Sequence, residues 1–353
     1  MPLNFGNPDF FSEMVLRRSI AGHRSQVHVL LHPTNGQDAV NEGAVAYLEP
    51  FSIGDILWLC RLPDELRDAV FRACEARGDP HEEAYGNPGQ LYCVALFMGP
   101  ILEGTIASWD GYGYITKFVN YSQLLHPTSI GFGNTATLYF DDKGKFLQAA
   151  PGPCRGFAEH AFVVPDTRNW LSQAECEAAK DLFHNAKLED LPDRVSRAHW
   201  SVQHAAYQYF FEVRTMLVAS ALDALIHVRN ERQGIGTSQQ FIDRVRLLAG
   251  DLGLSFSEDD AKGLWDHRSD VVHGRDPWLS VRDPNDPQWQ IPPIRKSDPM
   301  VRRHLAAEEI LRKTILRCLT DSVFASHFAS DSTVKAKYPL VPRPRPSRLR
   351  SRP

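Results

Sequence analysis

The stretch "LWDHRSDVVHGRDP" (264–277) sets Arg268 and His273 five positions apart, just before a glycine. A guanidinium keeps its charge and offers a planar fork of donors to an anion. An imidazole changes charge near neutral pH and so moves protons. A site that holds an anion and shifts a proton needs both types. The spacing itself carries no weight. Arg followed by His after four to six intervening residues occurs six times, at 17/23, 18/23, 155/160, 194/199, 197/204 and 268/273. The setting has to separate the last pair from the rest.

That setting is a helix. Ser257 is a suitable N-cap and Gly274 a suitable terminator, which predicts a helix over about 258–273. With about 100° per residue, Ala261, Leu264, Trp265, Val271 and Val272 fall on the same stripe as Arg268. A guanidinium on an apolar stripe needs an acidic partner, a path to water or a shared cleft. His273 lies about 140° away on a regular helix. The two groups converge in one chain only if the last turn unwinds. A second copy across a two-fold axis is the other way to bring them together.

The supporting elements differ between the two halves. Residues 1–160 carry short β-type runs cut by Gly, Pro and Asn: 25–32, 43–51, 90–98, 112–121 and 134–140. "FDDKGKF" (140–146) predicts a hairpin turn, and Pro63 to Arg77 a helix ended by Gly78. "DGYGY" (110–114) and "GFGN" (131–134) lack the strand–loop–helix setting of a phosphate loop and are predicted as turns. Residues 165–330 show helical periodicity instead. "SQAE" (172–175) is a capping-box pattern. One long amphipathic helix is expected from Asp193 to about Asn230, another over about 238–249, and a last one from Pro299 to about Phe324. The expected fold is α+β: a β-rich N-terminal domain (1–160) followed by an all-α bundle (165–330). Residues 331–353 end in "VPRPRPSRLRSRP" and are expected to be a disordered basic tail, either solubilising or contacting an acidic partner.

"LWDHRSDVVHG" resembles the R-x4-6-H segment of HEPN domains, in particular the ApeA-like group. "SALDALIHV" (220–228) is similar to that group's second signature, with Asp223 where a Glu is expected. "FIDRVRLLAG" (241–250) resembles its intervening helix. The resemblance covers about 195–325. It implies a homodimer formed through the bundle and a metal-independent endoribonuclease, with no cofactor. Cleavage would leave a 2′,3′-cyclic phosphate and a 5′-OH. Arg268 would hold phosphoryl oxygens and His273 would protonate the leaving oxygen. Ser269 and Asp270, between them, and Asp223 would support the pair. A defence or toxin-type effector fits such an activity. The other reading is a HEPN module that only dimerises or binds, with Arg268 paired to Asp223 and an N-terminal sensing domain whose partner the sequence does not name.

Composition narrows the classes further. Net charge is −4, yet seven Lys or Arg and no acid lie from Ser332 onward. The rest of the chain is therefore distinctly acidic, unlike a constitutive nucleic-acid coat. No apolar run is long enough for a membrane span. The six cysteines form no CxxC pair. A cytoplasmic protein with reduced thiols is expected.

Overall fold

The computed structural model describes residues 9–34, 49–78, 90–100, 107–127, 135–152, 171–206, 208, 211–229, 231, 234–275 and 299–340. The chain is α+β and divides into two compact units, Met1–Ala186 and Lys187–Pro353.

In the first unit the described elements are α1 (Asp9–Leu16), β1 (Ser25–Thr34), β2 (Phe51–Ser52), β3 (Leu57–Arg61), α2 (Asp64–Arg77), β4 (Gln90–Pro100), α3 (Ala107–Leu125), β5 (Thr135–Phe140), β6 (Phe146–Pro151) and α4 (Gln173–Asn185). The strands form one six-stranded sheet in the order β2-β3-β4-β1-β5-β6, with every described pairing antiparallel. Alternate residues of β1 explain its central place. Val27, Val29 and Leu31 join a core with Phe11, Met14 and Val15 of α1 and Leu66, Val70 and Cys74 of α2. Leu30, which points to the other face, is also buried, and α3 packs beside β1 and β4. The predicted hairpin turn joins β5 to β6, with Gly144 at φ 77°. The helix from Pro63 is α2, ended by Gly78 at φ 82°.

Three expectations for this half change. Residues 112–121, read as a strand, and the "DGYGY" turn lie inside helix α3. Aromatic and β-branched residues favoured a strand, but the segment is helical and every residue from Phe118 to Leu124 is buried, so tertiary packing overrides propensity. The strand over 43–51 falls mostly outside the described residues, as does 131–134. The capping-box helix α4 belongs to the first unit and not to the bundle. Its box is formed as predicted, and Tyr121 Oη donates to the Ala186 carbonyl at 2.8 Å.

In the second unit a short 3-10 turn (Leu188–Asp190) precedes α5 (Asp193–Ala206), α6 (Phe211–Ile226), α7 (Thr237–Asp251), α8 (Glu258–Val272), α9 (Pro299–Thr320), α10 (Ser322–Ser326) and α11 (Asp331–Lys337). The single helix expected over 193–230 is an antiparallel pair, α5 and α6. Arg194 at the start of α5 donates to the carbonyls of Ala224 and His227 at the end of α6. In the sequence the apolar period runs on through Val213, Met216, Ser220 and Ala224 and so hides the break, but α6 buries Thr215, Val218, Leu222 and Leu225 instead. A buried polar cluster ties α6 to α9. His304 Nδ1 lies 3.0 Å from Thr215 Oγ1, His304 Nε2 lies 2.9 Å from Glu308, and Glu308 takes Arg214 at 3.3 Å.

The expectation of a disordered end from 331 is also corrected. Residues 331–340 are ordered against the bundle, with Val334, Tyr338 and Leu340 buried. Residues 341–353 lie outside the described residues. The ordered part is fixed by charge as well as burial. Arg244, fully buried, pairs with Glu231 and donates to the Tyr338 carbonyl at 3.1 Å. Glu231 also takes Lys335 at 3.2 Å, and Tyr338 Oη donates to Asp251 at 3.1 Å. Sequence reading overlooked this because the flanking Pro/Arg composition dominates the window.

Two stability measurements follow from these contacts. Removing the carboxylate under a buried guanidinium leaves an uncompensated charge, so Glu231→Ala should cost about 3 kcal/mol or more in urea unfolding; a cost under about 0.5 kcal/mol would contradict the pairing. His199 on α5 has its imidazole pushed down to about 4 by burial. Its folded pKa is below the unfolded one, so its contribution is complete above about pH 6.5 and is lost as pH falls toward 4. Wild type should therefore lose about 1–2 kcal/mol more than His199→Gln between pH 7 and pH 4, allowing for its partial exposure. Equal losses would rule this out.

Candidate functional site

Helix α8 begins and ends as its sequence requires. Ser257 accepts from the Asp260 N–H at 3.0 Å. At the other end the Gly274 N–H donates to Val271 and the Arg275 N–H to Asp270, with Gly274 at φ 63°. These two bonds are a Schellman closure, and only glycine takes that φ without strain. His273 is the C-cap residue and is exposed at the tip. Its side chain has no partner among the described residues.

Arg268 points the other way. Its guanidinium lies 4.9 Å from the Trp265 ring centroid, one turn toward the helix start. Nε donates to Ser220 Oγ at 3.2 Å and Nη2 to Asp223 Oδ2 at 3.3 Å, both on α6. Helical side chains lean toward the N-terminus, so this direction is the ordinary one. His273 sits five residues further on, about 7.5 Å along the axis in the opposite direction. Within one chain the two groups therefore diverge, as the wheel predicted. The Arg268 side chain keeps 26% of its surface exposed, so the apolar stripe ends in a partner and still leaves the guanidinium open on one side.

Asp223 is where α6 meets this arginine. Burial raises its carboxyl above the usual carboxylate range, and Arg268 and His227 pull it back. Its two oxygens do different things. Oδ2 takes Arg268, while Oδ1 is buried without a hydrogen bond, 3.7 Å from His227 Nδ1, itself buried and unbonded. The described contacts join neither Ser269 nor Asp270 to Arg268 through their side chains. Ser269 is half-buried and Asp270 exposed, and their carbonyls accept from His273 and Arg275. Their support is to the helix end. The structure thus brings Asp223 to Arg268, and holds His273 apart from both.

Two residues of this cluster were missed in the sequence, Ser220 and His227. The signal was present in "SALDALIH": Ser220, Asp223 and His227 are spaced i, i+3, i+7 and share one helical face. The end of α6 is itself fixed by side chains. Arg194 takes the carbonyls of Ala224 and His227, Arg244 that of Ile226, and Gln240 accepts from the Val228 N–H at 3.1 Å. These bonds satisfy backbone groups that a helix end leaves open. Among the described residues, no three His, Cys, Asp or Glu side chains gather as a metal-binding group. None of the described helices is long and apolar enough to cross a membrane.

No family model matches the chain, and no curated protein or solved structure is significantly similar to it.

The Asp223–Arg268 contact can be measured directly. Each partner is largely shielded, so a double-mutant cycle with Asp223→Asn and Arg268→Met should give a coupling of about 1 kcal/mol in unfolding free energy. Additive effects would mean that the pair contributes nothing to the fold.

Proposed function

We propose that this protein is a metal-independent endoribonuclease of HEPN type acting as a homodimer through its helical bundle, a defence or toxin-type effector of the cytoplasm. The observation that carries the reading is the end of α8. An exposed histidine stands on a rigid closure, and a guanidinium with an open side is braced from the neighbouring helix.

The chemistry runs on those two groups. The RNA 2′-oxygen attacks the adjacent phosphorus, the bond to the 5′-oxygen breaks, and a 2′,3′-cyclic phosphate and a 5′-OH result. Arg268 stabilises the charge that develops on the phosphoryl oxygens. His273 gives a proton to the departing 5′-oxygen as that bond breaks. Because the two diverge within a chain, Arg268 of one copy would work with His273 of the other. The N-terminal unit would sense or restrain. Asp223 and Ser220 fix the fork so that it meets phosphate in one orientation.

A second reading rests on the same contact. Arg268 is already engaged by Asp223, which favours a non-catalytic dimerisation or binding module. The experiment separates the two. Purified protein in EDTA should cleave single-stranded RNA to cyclic-phosphate ends, and Arg268→Ala/His273→Ala should be at least about 100-fold slower. Equal cleavage by the double variant rejects the assignment, and intact RNA with wild type favours the binding module.

A further inference from the structure

Transfer to the 2′-oxygen needs a base as well as an acid, and neither Arg268 nor a protonated His273 can take the 2′-OH proton. Resting on the ribonuclease reading, we propose that His227 is that base, oriented by Asp223 on the carboxylate that also holds Arg268.

The argument is geometric. His227 follows Asp223 by four residues and so stands one turn above it; its N–H donates to the Asp223 carbonyl at 2.8 Å. Its own carbonyl is held by Arg194, which is paired with Asp331 of α11. The backbone of His227 is therefore pinned on both sides. Its Nδ1 is buried and faces Asp223 Oδ1 at 3.7 Å, and neither atom has another hydrogen-bond partner. Two buried, unsatisfied polar atoms facing each other are complementary when the histidine carries its proton on Nδ1. A small approach then makes an Nδ1–H to Oδ1 bond. That bond fixes the tautomer and leaves the Nε2 lone pair as the basic site. The side chain is 33% exposed while Nδ1 is buried, so its exposure lies away from Asp223. The carboxylate thus aligns a base through one oxygen and an anion-holding fork through the other. Both groups flank one carboxylate, Arg268 Nη2 at 3.3 Å from Oδ2 and His227 Nδ1 at 3.7 Å from Oδ1, so a phosphodiester held by Arg268 would lie near His227.

Protons balance in this scheme. Nε2 takes the 2′-OH proton as the oxygen–phosphorus bond forms. His273 gives one to the 5′-oxygen as that bond breaks. Solvent then returns His227 to its neutral form and His273 to its protonated form. No oxidant, reductant or further reactant is required.

The test uses the full-length protein and two independent readouts. Long-range proton–nitrogen NMR of wild type should show His227 protonated at Nδ1 when neutral, and Asp223→Asn should abolish that preference. His227→Gln should lower kcat for RNA at least ~100-fold with KM changed less than ~3-fold, while Asp223→Asn lowers it ~10-fold or more. If wild type cleaves RNA and His227→Gln cleaves as fast, His227 is not the base, although the ribonuclease reading survives. If wild type does not cleave RNA, that reading fails. Titration with inorganic phosphate then decides whether His227 faces a phosphate site: a shift at Nε2 that disappears in Arg268→Met supports the arrangement. An unperturbed Nε2, or an Nε2-protonated tautomer, overturns it.

Discussion

The chemistry proposed for the second unit turns on the carboxylate of Asp223. Burial raises its carboxyl above the usual carboxylate range, and the charges of Arg268 and His227 oppose that rise. The contact with Arg268 joins α8 to α6 beside the buried Ala261 and Leu264 and engages a guanidinium that already leans toward the start of its helix. It also leaves one carboxylate oxygen for His227. A carboxylate placed half a turn earlier or later on α6 would leave Arg268 without a charge partner inside an apolar stripe.

Such a contact demands that the last turn of α6 hold still, and backbone hydrogen bonds cannot ensure that at a helix end. Here side chains replace them. Arg194 and Arg244 reach in from α5 and α7, and both are anchored in turn by the ordered segment after α10: Arg194 by Asp331, Arg244 by the Tyr338 carbonyl. Arg244 is wholly buried, so its donors must all find acceptors, and it finds Glu231, Gln240 and two carbonyls. The C-terminal segment is in this sense part of the frame of the site. Its composition gave no hint of that, because the residues that dock it (Asp331, Val334 and Tyr338) are few and lie beside a long run of Pro and Arg.

What could be read from the sequence follows from the physics of each element. Local signals held: Ser257 and Ser172 as caps, Gly78 and Gly274 as terminators, the Gly144 hairpin. The α+β division held because alternation and helical period are properties of single elements. What failed was context. Residues 112–121 carry strand-forming side chains but are helical, in a segment buried on all sides from Phe118 to Leu124, where tertiary packing decides. The break between α5 and α6 was invisible because apolar residues continue at helical spacing past it, although α6 buries a different face (Thr215, Val218, Leu222, Leu225) from the one that spacing marks. At the site, the wheel correctly required a partner or a cleft for Arg268 and correctly separated it from His273. Asp223 is the partner that the non-catalytic reading expects for Arg268. That the free oxygen Oδ1 faces His227 needed coordinates, because it depends on which oxygen is left unbonded.

The central claim is that a working site takes Arg268 from one copy and His273 from the other. Arg268→Ala and His273→Ala, each inactive alone, can be mixed under conditions that exchange subunits. A mixed dimer then contains one complete site, and RNA cleavage should return in the mixture. A mixture as inactive as its two components, with exchange confirmed, would contradict the account.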